Sequence, residues 1–184
     1  CNFRLAKKDL LVVFLLSLLR ATTSFSLLIA YQNIATGVAS TIHFMYPLAV
    51  SLVMMYFFQE KKSLWVMFAV SMSLLGAALL SSGELEAKNG DTIVGLVAAC
   101  VSVFSYAGYI VGVRMTCAVR INSTVLTCYV MGMGAVLYLI GAMATFGLHL
   151  VTDGYIWLII LGLALPATAI SNITLVRAIK YAGP

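Results

Sequence analysis

Residues 39–63 read ASTIHFMYPLAVSLVMMYFFQEKKS, and this stretch decides the fold. Its first twenty residues are predominantly apolar or small, and they end abruptly in a charged segment, residues 59–63. A helix needs about 20 mostly apolar residues to cross a bilayer, whereas a barrel strand needs only about 9–11. The stretch therefore predicts a membrane-spanning helix. Pro47 removes a backbone hydrogen bond near its middle, which predicts a kink or break there.

The composition of the whole chain agrees with a membrane protein. The 184 residues are 62% hydrophobic and 9% charged, with a mean hydropathy of +1.06. A soluble domain is about half apolar and about a quarter charged. So few charges cannot cover a surface that faces water, which excludes a soluble globular enzyme, a disordered protein and a nucleic-acid reader. The 11 basic and 6 acidic residues form no dense patch that would suit nucleic acid.

Six stretches have the length and hydropathy of spanning helices. They cover residues 10–31, 34–58, 64–82, 92–113, 123–147 and 155–177. The connections between them are short and hold most of the charged and turn-forming residues, so they leave no room for a domain outside the membrane. The expected fold is an all-α, polytopic transmembrane bundle with six spans.

The basic residues predict the orientation of these spans, because cytoplasmic loops are enriched in Lys and Arg. Nine basic side chains fall on one side if the segments alternate: Arg4, Lys7, Lys8, Lys61, Lys62, Arg114, Arg120, Arg177 and Lys180. The other side holds Lys88 together with four of the acidic residues. The first segment is therefore expected to run outward from the cytoplasm, in a multi-pass protein of the plasma or inner membrane.

Three functional classes fit six tightly connected helices: a transporter or channel, an intramembrane enzyme, and a passive scaffold. No nucleophile and base stand in the pattern of an intramembrane hydrolase, and His43, within the second segment, has no carboxylate within a helical turn. The four cysteines lack metal-binding spacing. We therefore expect no enzymatic activity, no metal and no cofactor.

Polar residues recur at helical spacing within the segments, so they line single faces. These faces comprise Ser17, Arg20, Ser24 and Tyr31; Ser40, His43, Pro47 and Ser51; Ser102, Tyr106 and Tyr109; and Thr168, Ser171, Asn172 and Thr174. Such groups are satisfied either by hydrogen bonds between helices or by a water-filled cavity. Four such faces favour a polar cavity, while the glycines at 132, 134 and 141 favour close helix packing.

Arg20 is the most informative single residue in these faces. It stands about ten residues into the first segment, where an Arg costs roughly 2.5–3.5 kcal/mol on insertion scales. At 1.5 Å per residue it lies about 15 Å from either end of the span, too far for easy snorkelling. Two roles stay open: contact with an anionic substrate in a cavity, and hydrogen bonding to carbonyls of neighbouring helices.

The second segment also resembles a known repeat. Pro47 is followed thirteen residues later by Glu60 with Lys61 behind it, and the next segment reads WVMFAVSMSLLGAALLSSG. This pattern resembles the EamA-type repeat of the drug/metabolite transporter superfamily. The resemblance implies two inverted five-helix repeats with ten spans in all. Residues 1–82 would then be the last three helices of the first repeat, and residues 92–184 the first three of the second.

The resemblance implies a secondary transporter that moves small metabolites or drugs by alternating access. The alternative is a channel-like or scaffold subunit of a membrane complex. The expected partners are a small-molecule substrate and the lipid bilayer, with a homodimer left open and no nucleic acid. The expected substrate-binding residues are Arg20, Ser24, His43, Pro47, Tyr106, Tyr109, Ser171 and Asn172. Glu60 is expected to act at a gate or helix end.

Overall fold

The computed structural model describes residues 7–58, 68, 71, 72, 75, 76, 79, 90–145 and 154–182. Within these residues all regular secondary structure is helical, and there is no strand. The elements are α1 (Lys7–Asn33), α2 (Thr36–His43), α3 (Tyr46–Phe57), α4 (Thr92–Met115), a 3₁₀ turn (Cys117–Arg120), α5 (Ser123–Thr145), α6 (Gly154–Gly162), a π-helical segment (Leu163–Ile170) and α7 (Ser171–Ala182). The all-α prediction is confirmed for the described part of the chain.

Four helical stretches among the described residues are long and apolar enough to cross a membrane. They are Asp9–Asn33, Thr36–Phe57, Thr92–Met115 and Ser123–Gly141, and they match the first, second, fourth and fifth predicted segments. The third predicted segment, residues 64–82, lies largely outside the described residues. The sixth is helical but is divided into α6, the π-helical segment and α7, so it is not one long α-helix.

The second span is interrupted where Pro47 predicts it. α2 ends at His43, Phe44 and Met45 form a turn, and α3 begins at Tyr46. Pro47 has no N–H to donate to the carbonyl of His43, four residues earlier, and its ring would clash with that carbonyl. The backbone tightens instead, with the Met45 amide donating to the Ile42 carbonyl at 3.0 Å. The result is a break in the middle of a stretch long enough to span.

The chain divides into two compact units, and the boundaries fall inside α1 and α4. Thr22–Val111 form one unit. In it, the end of α1 packs antiparallel against the start of α4 around a buried cluster of Ala30, Ile34, Ala39, Ala98 and Ala99. Small residues let two helix backbones approach closely. The approach is close at Gly95, where an added Cβ would lie 2.6 Å from Cγ2 of Ile34.

Asn33 joins the end of α1 to the start of α4 in the same unit. Its Nδ2 donates to the Ile29 carbonyl at 2.8 Å, and its Oδ1 accepts from the Asp91 amide at 3.1 Å. Asp91 in turn caps α4, since its Oδ1 accepts from the amide of Ile93 at 2.9 Å. An Asp at this position satisfies amides that the first helical turn leaves unpaired. These contacts fix where α1 stops and α4 begins.

Cys1–Ala21 and Gly112–Pro184 form the other unit. Its core is apolar, with Val13, Leu126 and Val176 fully buried. α1 runs parallel to α5 here, because the Tyr138 hydroxyl donates to the Ala21 carbonyl at 3.4 Å and Ser17 lies beside Met133.

Close glycine packing occurs at positions other than those that the sequence favours. An added Cβ at Gly112 would lie 2.7 Å from Cδ2 of Leu16. At Gly132, Gly134 and Gly141 it would meet nothing within 4 Å. The expectation of close packing at those three glycines is therefore wrong for the described part of the chain.

Candidate functional site

Three of the predicted site residues meet beside the break in the second span. His43, Tyr106 and Tyr109 lie together with Tyr46, and we call these four residues the aromatic cluster. The ring centroid of His43 lies 5.6 Å from that of Tyr46 and 5.5 Å from that of Tyr106. Tyr46 meets Tyr106 edge to face at 4.6 Å, and Tyr106 stacks on Tyr109 at 5.9 Å. Edge-to-face and offset-stacked pairs are the favourable arrangements of aromatic rings.

A hydrogen bond to α4 orients the imidazole of His43. The Nδ1 atom of His43 lies 3.0 Å from Oγ of Ser102. The same hydroxyl donates to the Ala99 carbonyl at 2.6 Å, and a carbonyl can only accept. Because a hydroxyl has one hydrogen, Ser102 must accept from Nδ1–H of His43. The hydrogen-bond pattern therefore assigns the Nδ1–H tautomer to neutral His43 and leaves Nε2 as an acceptor.

The cluster is buried on its α4 side and more open on its α2–α3 side. Ser102 is fully buried and Tyr109 nearly so, whereas His43 and Tyr46 are half-buried. Ser102 and Tyr106 stand near the middle of α4, about ten and fourteen residues from its start. The cluster thus combines hydroxyl groups, one imidazole and aromatic faces at the middle depth of two long apolar stretches.

Sequence reasoning missed Tyr46. Its position three residues after His43 puts it on the same helical side of the span, which is the signal that could have found it. The residue falls directly before Pro47, at the start of α3, so the break also sets where its ring points. Ser102 was recognised as part of a polar face but not as the partner of His43.

The remaining predicted site residues have different surroundings. Arg20 is half-buried, with its Nε atom fully buried, and Ser24 is half-buried one turn later on α1. Ser171 is exposed at the start of α7. Asn172 is buried, and its amide donates to the Thr168 carbonyl of its own helical turn at 2.7 Å. Glu60 lies outside the described residues.

Some of the predicted polar faces serve helix packing. Ser17 is fully buried and donates to the Val13 carbonyl at 2.7 Å, and the hydroxyls of Tyr31 and Ser40 lie 3.2 Å apart. Hydrogen bonding within or between helices therefore accounts for these side chains. The aromatic cluster also contains an interhelical hydrogen bond, and it places an imidazole and three tyrosine rings beside a helix break.

A second polar region lies at one end of the unit formed by Cys1–Ala21 and Gly112–Pro184. An Arg114 guanidinium nitrogen donates to the Ile179 carbonyl at 3.1 Å, and the Lys180 ammonium donates to the Ile121 carbonyl. We call this region the basic end and define it by Arg114, the 3₁₀ turn Cys117–Arg120, Arg177 and Lys180. It joins the end of α4, the start of α5 and the end of α7.

Two groups at the basic end have shifted pKa values. Partial burial raises the pKa of the Cys117 thiol, and a hydrogen bond from the thiol to the Asp9 carboxylate raises it further. Partial burial lowers the pKa of the Lys180 ammonium. The Asp9 contact also brings the first turn of α1 to this end. Four of the nine basic residues that the sequence assigns to one side, Arg114, Arg120, Arg177 and Lys180, therefore lie at this end of the unit.

The part of the chain that the structure describes contains no group of three or more His, Cys, Asp or Glu residues that could hold a metal ion. No family model, curated protein or solved structure matches the chain. The function must therefore be argued from the site itself.

Proposed function

We propose that the chain is part of a polytopic secondary transporter that moves small metabolites or drugs across the plasma membrane by alternating access. The observation that carries this proposal is the aromatic cluster beside the broken second span. Interrupted helices at the middle of a membrane protein are a recurrent way of forming substrate sites. The EamA assignment within this proposal rests on the pattern of Pro47, Glu60 and Lys61.

The chemistry of the cluster suits reversible binding of a small molecule. The half-buried side chains of His43 and Tyr46 bring an imidazole and a phenol to the open side of the cluster, and aromatic rings offer flat apolar surfaces. Ligand sites typically combine mostly apolar walls with a few fixed polar groups. A passive anchor would need neither a broken helix nor a buried Ser–His hydrogen bond, since burying polar groups in an apolar surrounding has a cost.

The proposal can be tested by ligand-induced stabilisation of the purified transporter of which we propose the chain to be part. A ligand that binds only the folded protein raises its melting temperature. A panel of amino acids, nucleotide sugars and cationic drugs is screened in detergent, and each hit is then tested for counterflow in proteoliposomes. We expect at least one compound to stabilise the protein and to exchange across the membrane with saturable kinetics.

The cluster is tested with variants on one helix. Tyr106→Phe removes only the hydroxyl and Tyr106→Ala removes the ring, so both should weaken binding of the hit. Phe104→Ala is the matched control, because Phe104 lies on the same helix but is 72% exposed. Flux that rises without saturation would indicate a channel instead. No hit and no flux, with a stable partner subunit co-purifying, would indicate a scaffold.

A further inference from the structure

We propose that the basic end binds the phosphate headgroup of an anionic phospholipid. Its four cationic side chains divide into two pairs. Arg114 and Lys180 are half-buried and donate to the carbonyls of Ile179 and Ile121, so they hold the ends of helices together. Arg120 and Arg177 are exposed and make no hydrogen bond or ion pair with any residue that the structure describes.

The two exposed arginines lie close to one contact. Arg120 immediately precedes Ile121, whose carbonyl accepts from Lys180, and Arg177 stands one helical turn before Lys180. Asp9 is the acidic residue that lies near Cys117 in this region, so one carboxylate stands among four cationic side chains. The region therefore carries a net positive charge, with two guanidinium groups available to bind an anion. A guanidinium matches the oxygens of a phosphate through two parallel hydrogen bonds.

The surroundings of the arginines favour a lipid over a soluble anion. The basic end adjoins two stretches long and apolar enough to span, Thr92–Met115 and Ser123–Gly141. Tyr181, one turn after Arg177, is 89% exposed, and Met115 beside Arg114 is 41% exposed. An exposed tyrosine next to basic residues is typical of the interface between headgroups and acyl chains. A phospholipid offers both the phosphate for the arginines and the chains for the apolar side chains.

The inference is independent of transport activity and is tested by direct lipid binding. The purified protein is titrated in detergent with phosphatidylglycerol, phosphatidylcholine or soluble glycerol 3-phosphate, and bound molecules are counted by native mass spectrometry. We expect phosphatidylglycerol to bind more tightly than phosphatidylcholine. The double variant Arg120→Gln with Arg177→Gln should bind phosphatidylglycerol more weakly, by about fivefold for each arginine replaced. This factor corresponds to about 1 kcal/mol per basic residue near an anionic surface.

The controls test whether lost charge or lost folding explains weaker binding, and whether the region binds a lipid or any phosphate. Arg120→Lys with Arg177→Lys keeps both charges and should retain most of the binding. Melting temperatures of all variants are compared to establish that they fold. Unchanged phosphatidylglycerol binding in the Gln variant would overturn the proposal. So would displacement of the lipid by an equal concentration of glycerol 3-phosphate, because that result would make the region a general phosphate site.

Discussion

His43 and Ser102 stand 59 residues apart in sequence, and Nδ1 of the imidazole lies 3.0 Å from Oγ of the hydroxyl. The contact joins the last residue of α2 to the middle of α4. It fixes the tautomer of the imidazole, because the single hydrogen of Ser102 is already donated to Ala99. A hydrogen bond of this kind orients the side chain that a ligand would meet.

We predict that Ser102→Ala releases the His43 imidazole from one tautomer. In the unsubstituted protein, the ¹⁵N spectrum of neutral His43 should show the Nδ1–H form, and Ser102→Ala should show a mixture. A His149→Gln background leaves a single histidine signal. Ser102→Thr retains the hydroxyl and serves as the control. A spectrum unchanged by Ser102→Ala would contradict the assignment.

We predict that Arg20 takes part in substrate recognition in the transporter that we propose. Arg20→Ala should weaken binding of an anionic hit about ten- to a hundredfold, since a charge-assisted hydrogen bond contributes roughly 1.5–3 kcal/mol. The affinity of Arg20→Lys should lie between those of the unsubstituted protein and Arg20→Ala, because Lys keeps the charge but cannot reproduce the forked geometry of the guanidinium. Binding and melting temperature are measured together. A lower melting temperature with unchanged affinity would assign Arg20 to helix packing instead.

We predict opposite effects for the same substitution at two helical glycines. Gly95→Ala should lower stability by about 1–3 kcal/mol, because the new methyl group would overlap Cγ2 of Ile34. Gly132→Ala should be neutral or stabilise by up to about 1 kcal/mol, because its Cβ meets nothing within 4 Å and Ala favours the helix. Thermal unfolding of both variants in one detergent checks this. Equal losses of stability in the two variants would show that another part of the protein packs against α5 at Gly132.

We predict that Cys117 alkylates slowly at neutral pH. Partial burial and the Asp9 carboxylate raise the pKa of the thiol, so the reactive thiolate forms only at more alkaline pH. The rate of iodoacetamide modification, followed on the Cys117 peptide, should rise at a higher pH than for an ordinary thiol. Asp9→Asn should shift that rise to lower pH, and Asp9→Glu should not. A profile unaffected by Asp9→Asn would disprove the contact.

The raised pKa of Cys117 also has a consequence for stability. The thiol ionises at a lower pH in the unfolded chain than in the folded one. The contribution of Cys117 to the free energy of unfolding is therefore fully present below the pKa of the thiol in the unfolded chain. It is lost as the pH rises through the pKa of the thiol in the folded chain.

We predict that the two ends of α4 lie on opposite sides of the membrane. The helix contains 24 residues, so at 1.5 Å per residue its length is about 36 Å, enough to cross the hydrocarbon core. In a cysteine-free background, Thr92→Cys should react with an impermeant maleimide on intact cells. Asn122→Cys, which follows the C-terminal end of α4, should react only after permeabilisation. Labelling of Asn122→Cys on intact cells would show that the predicted orientation of α4 is wrong.

Hydropathy and local backbone chemistry were sufficient to predict several features of the chain. Four of the predicted spans coincide with long helices, and the break falls at His43 because Pro47 acts on its own helix. Each of these features depends on residues within about one helix length of one another.

The tertiary structure alone decided which residues meet. Tyr46 joins the aromatic cluster, Ser102 pairs with His43, and the close glycine contacts are at Gly95 and Gly112 rather than at Gly132. The sequence shows which side of a helix is polar or small, but not which neighbour that side faces. Such contacts depend on the rotation and axial register of one helix against another, and side chains far apart in sequence set both through packing.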